Sequence, residues 1–334
     1  MSTTSESGLQ HAFLLDGKGG ATRLDWAGVA AWTANDGVLW INLDYGKPDA
    51  QKWLEHDSRL DPLVREALLD TDPRPRAVPY GEDLMLIVRG INMNEGSTPE
   101  DMLSVRTWIE PRRIITLRHR SSRSLKQLTS DVERGKGPTN AGGITVALVE
   151  RIVEHVVTRV DRLGDDIAAC EDQAIDDARG DLRARLADQR RRAIALRRFL
   201  APQREALAKL AHIKLPWLDE THHQRIAEVA DRMTRTVEEL DAARDRAAVT
   251  QEELSSRQSE TTNQRLYVLS IITAIFLPLG FVCSLLGVNV GGVPFTEDKW
   301  AFWALIGVFI VGVAIQLWIF RRRGWIKSAR SRDR

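Results

Sequence analysis

The chain has 334 residues, of which 28% are charged, with 47 basic and 46 acidic side chains and a net charge of +1. That balance excludes a general nucleic-acid binder, which needs a basic excess, and the two cysteines, Cys170 and Cys283, exclude a disulfide framework or a thiolate metal cage. The length suits two domains.

Met1 to Gln10 is polar and acidic. It lacks the basic start and apolar stretch of a secretory signal, so the N-terminus is expected to stay in a reducing cytoplasm. Short β-rich runs bounded by Gly, Pro, Asn or Asp predict strands at His11–Leu15, Val38–Leu43, Leu84–Arg89, Leu103–Ile109 and Ile114–Arg118. Helices are expected at Asp49–His56, Asp61–Leu69 and Ser124–Glu133. Residues 1–143 therefore read as an α/β domain with layered helices and sheet.

From Ile144 the character changes to long helix. Val146, Val149, Ile152, Val153, Val156, Val157 and Val160 form one apolar stripe at three–four spacing. Residues 144–216 predict a helical hairpin that turns near Gly180, with breaks at Ala201-Pro202 and at Leu215-Pro216-Trp217. From Trp217 to Leu277 there is neither proline nor glycine, and Ile226, Val229, Met233, Val237 and Leu240 keep a heptad-like rhythm on a charged background. One helix over that stretch would extend about 90 Å. Residues 217–286 are read as a stalk helix that runs into a membrane span at 266–286.

Leu266 to Phe295 carries no charged side chain, and neither does Trp300 to Phe320. A span needs roughly 20 apolar residues, a length that Leu266–Leu286 and Ala301–Phe320 both meet. Trp300 and Trp303 flank one end of the second run, Trp318 and Trp325 the other, as at two lipid–water interfaces. Length and flanks favour a bilayer over a buried hairpin. Seven basic residues follow the second run, from Arg321 to Arg334, and Arg257 and Arg265 precede the first, whereas the loop at 287–300 has only Lys299. By the excess of basic residues on the inner side, both termini, including the basic tail at 321–334, face the cytoplasm.

Two helices cannot enclose a path, so several copies must surround an axis. Ser270, Thr273, Leu277, Gly280 and Ser284 recur at three- and four-residue spacing on one face of the first span, and Leu266 and Asn263 extend that face toward the cytoplasm. Small and hydroxylated residues in such a row serve either a pore or the close packing of helices. Neither span holds Asp, Glu, Lys, Arg or His, which argues against an embedded proton relay or a dehydrated metal site. A cation on this path keeps much of its hydration shell. Leu277 and Leu266 form apolar constrictions that stop hydrated ions when the helices close.

Thr262-Asn263, Phe276-Leu277-Pro278-Leu279 and Gly287-Val288-Asn289, set before, within and after the first of two terminal spans, resemble the CorA family of divalent-cation transporters. Val288 stands where the family signature has Met, a Gly-Val-Asn variant typical of the ZntB zinc-transporter branch. Arg74-Pro75-Arg76, Gly137-Pro138-Thr139 with Gly142-Gly143, Ala201-Pro202-Gln203-Arg204 and Leu215-Pro216-Trp217 are similar to that branch too. The resemblance implies a funnel-shaped homopentamer in a bacterial inner membrane, with the first span lining the pore and the α/β domains in the cytoplasm. It implies a non-enzymatic transporter with no resident cofactor, whose partners are the bilayer, copies of itself and divalent cations. Asn289 would ring the outer mouth and meet the hydrated cation, Gly287 would permit the turn that ends the helix, and Glu297 and Asp298 in the loop would concentrate cations. Zinc is the cargo the branch suggests. The polar row itself offers only oxygen, and the seven histidines all lie outside the spans. Magnesium, cobalt or nickel fit such a path equally well. A non-transporting membrane-anchored sensor is the alternative of a different class.

Overall fold

A computed structural model describes residues 7–176, 180–287 and 298–323. The chain divides into two compact units, Met1–Leu254 and Ser255–Arg334.

The first unit is built on one seven-stranded sheet. Its strands are β1 (Leu9–Leu15), β2 (Ala21–Arg23), β3 (Leu39–Asp44), β4 (Arg76–Tyr80), β5 (Asp83–Gly90), β6 (Leu103–Ile109) and β7 (Arg113–Arg118). They lie in the order β2-β1-β3-β7-β6-β5-β4. β3 pairs with β7 in parallel, and every other pair is antiparallel. Both faces are covered, so alternate residues enter different cores. Trp40, Leu84, Leu86, Val88 and Ile114 face the long helices. Leu39, Ile41, Met85, Ile87 and Ile115 face α2 (Pro48–His56) and α3 (Pro62–Leu69), packing on Leu54, Val64 and Leu68. Burial on both faces explains the consecutive apolar residues at Leu39–Ile41, Leu84–Val88 and Ile114–Ile115.

All five expected strands form, within one or two residues of the expected ends. The expected helices form as well, the third as α4 (Arg123–Glu133). Asp61 caps α3 by accepting the Leu63 N–H at 2.8 Å. Four elements were not expected: β2, β4, the short helix α1 (Trp26–Ala31) and a 3-10 turn at Ala34–Asp36. β4 contains Pro79, which argues against a central strand, and it lies at the sheet edge, where a missing N–H is tolerated.

Beyond the sheet lie α5 (Ala141–Asp176), α6 (Gly180–His212) and α7 (Glu220–Leu286). The valine stripe of α5 is buried from Val146 to Val160 except at the half-buried Val157, and all five heptad-like residues of α7 are buried. At the start of α5, a Cβ on Gly142 would lie 2.7 Å from the His222 ring, so the Gly-Gly pair permits a close helix approach. The expected break at Ala201-Pro202 does not occur, because α6 runs through Pro202. Leu196, Leu200, Leu207 and Leu210 are buried on either side. That packing outweighs the roughly 3 kcal/mol cost of an interior proline. The next residue, Gln203, is fully buried, and its Oε1 accepts the Arg89 backbone N–H at 2.6 Å. The second expected break is real, since α6 ends at His212 and α7 begins at Glu220.

The second unit holds the rest of α7 and α8 (Ala301–Arg322). Its apolar side chains are exposed along both helices, Phe276, Leu277, Trp303 and Ile310 by 65% or more. Both helices are long and apolar enough to cross a membrane, and no part of either apolar stretch is buried inside the chain.

Candidate functional site

The uncharged row along the first span is the feature that bears on function. Asn263, Leu266, Ser270, Thr273, Leu277, Gly280 and Ser284 all lie on α7, and all are exposed. Ile271, Ala274, Ile275, Leu279 and Val282 of the same helix are half-buried. The two sets point about 150° apart at ~100° per residue. On α8 the half-buried residues Ala301, Leu305, Phe309, Val313 and Gln316 follow the same helical rhythm. The amide of Gln316 reaches the Ala274 carbonyl at 3.4 Å, so this is the side on which the two helices meet. The small, hydroxylated row therefore lies on the side of α7 turned away from α8.

Within the row, Ser270 Oγ donates to Leu266 O at 2.8 Å and Thr273 Oγ1 to Leu269 O at 2.9 Å. Each hydroxyl hydrogen is thus held by its own helix. The oxygen lone pairs stay outward, which is the polarity that a cation or the hydrogens of its water shell require.

At the C-terminal end of α7, Gly287 donates its N–H to Cys283 O at 2.9 Å. Gly287 is not among the described glycines with positive φ. Asp298 is exposed, and its carbonyl accepts the Ala301 N–H at 3.1 Å in the turn into α8. Val288, Asn289 and Glu297 lie outside the described residues. Trp300, Trp303 and Trp318 are exposed near the ends of α8, and the Arg322 guanidinium sits 5.3 Å over the Trp318 ring.

Among the described residues, no group of three His, Cys, Asp or Glu side chains is placed to hold a metal ion. The histidines have other surroundings. Burial, the larger cause, and Arg23 and Arg118 nearby hold the His11 imidazole below its ordinary range. Burial also lowers that of His155, whose Nδ1 lies 3.1 Å from Ser124 Oγ.

Gln316 went unremarked in the sequence, although a single amide in an apolar span facing a proline-containing partner is a readable signal.

Residues 35–322 match the family model described as CorA-like Mg2+ transporter protein. The chain belongs to this family. It is 38% identical over 325 residues to the divalent cation transporter CmaX of Pseudomonas aeruginosa, covering 96% of this chain and 98% of that one. It is 33% identical over 316 residues to the zinc transport protein ZntB of Yersinia enterocolitica, covering 95% of each chain. The structure of full-length CmaX superposes with a TM-score of 0.84, over 96% of this chain and 99% of that one. The CorA magnesium transporter of Methanocaldococcus jannaschii shares the fold, with a TM-score of 0.78 at 17% identity over 94% of this chain and 98% of that one. Family members are membrane transporters and not enzymes.

Proposed function

We propose that the chain assembles as a homopentamer and carries divalent cations, zinc first among them, through a pore lined by the first span. The observation that carries this reading is the uncharged row of Ser270, Thr273, Leu277, Gly280 and Ser284, exposed on the side of α7 opposite its contact with α8. A lone hairpin gains nothing from a polar row on its outer side, whereas a ring of α7 helices gains a wet axis. Membership of a transporter family supports the reading, and the ZntB relatives support zinc.

In the assembly, Asn289 forms a ring of amide oxygens at the outer mouth behind Gly287 and Val288, and Glu297 and Asp298 raise the local cation concentration. The ion passes hydrated, and Leu277 and Leu266 close the path. Both termini lie on the cytoplasmic side of a bacterial inner membrane, a reading that the basic residues after Phe320 support. Moving two charges inward across 100 mV is favoured by roughly 4.6 kcal/mol, so a passive pore imports. A proton-linked mode draws on groups outside the spans.

Reconstitution in liposomes with a zinc-sensitive dye tests the proposal. Purified protein moves zinc, Asn289→Ala lowers the rate tenfold or more, and magnesium, cobalt and nickel compete less well. Failure to move zinc across any imposed proton gradient, together with magnesium flux, assigns the chain to magnesium. Subunit counting that finds a dimer removes the pore and favours a sensor.

A further inference from the structure

Pro278 lies in the middle of the first span and has no amide hydrogen. The carbonyl of Ala274, four residues earlier, therefore has no donor at the usual helical spacing, and the proline ring crowds it away from the axis. In hydrocarbon such a carbonyl needs another partner. The second span supplies it, with Gln316 Nε2 3.4 Å from Ala274 O. Gln316 is the one side-chain amide between Ala301 and Phe320. Its Oε1 is buried and has no hydrogen-bond partner among the described residues. The amide thus serves a single carbonyl, the one that Pro278 leaves open, and belongs to no wider polar network.

We propose that Gln316 is a positioning residue for transport, a latch on a hinge at Pro278 in the pore-lining helix. The inference rests on the pore reading above. Pro278 divides the polar row, with Ser270 and Thr273 on one side and Gly280 and Ser284 on the other. Leu277, the residue assigned to the apolar constriction, immediately precedes it. A bend at Pro278 moves the outer half of the row against the inner half and carries Leu277 with it. The hydrogen bond from Gln316 holds one setting of that bend. Its length is beyond the usual range for an N–H···O bond, and its acceptor end is uncommitted, so it breaks without disturbing a second contact.

The test is a double-mutant cycle on the full-length protein. Gln316→Met keeps the length and removes the amide. Pro278→Ala restores an N–H, so that Ala274 O regains a donor in its own helix. Zinc entry into liposomes is measured across zinc concentrations, and the thermal midpoint of the detergent-solubilised assembly is measured in parallel. Gln316→Met is expected to change the maximal rate by roughly three- to fifteenfold, the scale of one interhelical hydrogen bond in a membrane. The half-saturating zinc concentration stays constant, because the outer mouth is untouched. In the Pro278→Ala background the same substitution changes the rate by less than twofold, and the midpoints show the same non-additivity. An equal effect in both backgrounds, or no effect in either, overturns the latch. If Gln316→Met does not assemble, Gln316→Asn, one methylene shorter, replaces it. If wild-type liposomes move neither zinc nor magnesium, the transport reading falls, and the latch is then decided by the midpoints alone.

Discussion

Thr273→Val separates a pore from a packing surface at a single atom. Valine keeps the shape of threonine and removes Oγ1, which donates to Leu269 O at 2.9 Å. That carbonyl remains within reach of the helical N–H of residue 273, so the substitution should alter stability by no more than about 0.5 kcal/mol. Transport should respond far more. In the proposed fivefold assembly one substitution removes five oxygens from a single level of the proposed pore. A hydrated dication that uses two of them at ~0.5–1.5 kcal/mol each loses about 1–3 kcal/mol of stabilisation. If that loss falls on the barrier, the rate drops roughly 5- to 150-fold. The assay is initial zinc flux per assembled pentamer in liposomes, with Ile271→Val, on the half-buried side toward α8, as the control expected within twofold of wild type. Flux of Thr273→Val within twofold of wild type refutes the pore assignment of this face. So does loss of assembly with undiminished flux per surviving pentamer, which is the outcome a packing surface gives.

Leu277→Ser puts a hydroxyl at the proposed apolar constriction, and it should raise basal ion leak at least severalfold, measured as dye response without an imposed gradient. Gln203→Leu leaves the Arg89 N–H without its buried acceptor. The expected cost is about 1–3 kcal/mol, or a fall of about 2–12 °C in the thermal midpoint followed by circular dichroism. His11 and His155 are held neutral by burial below their usual range. Their folded-state affinity for protons is lower than in the unfolded chain, so the stability they contribute is present above about pH 6.5 and is lost as pH falls below it. The midpoint should drop through that window in wild type and drop less in His155→Gln.

Much of the first unit was readable because its physics is local. A sheet covered on both faces favours apolar residues at consecutive positions, and Leu84 to Val88 show that directly. β4 and β2 were missed for the opposite reason. Each is short and lies at a sheet edge, and what places them is a neighbouring strand and not their own composition. Pro202 misled for a related reason, since helix propensity is set residue by residue whereas the packing of Leu200 and Leu207 that overrides it is not.

Charge distribution and helical period, both properties of the chain as written, were enough to determine two apolar spans, a polar row on one face of the first, and the absence of ionisable side chains there. Which way that row points was decided only in the folded hairpin. The half-buried residues Ile271, Ala274, Ile275, Leu279 and Val282 place α8 on the other side of α7, and the contact between Gln316 and Ala274 joins two residues 42 positions apart. A helical period defines faces relative to one another but names no neighbour for any of them. Only the packed pair of helices tells the face that meets α8 from the faces left exposed, and shows that the carbonyl Pro278 leaves open has found its donor.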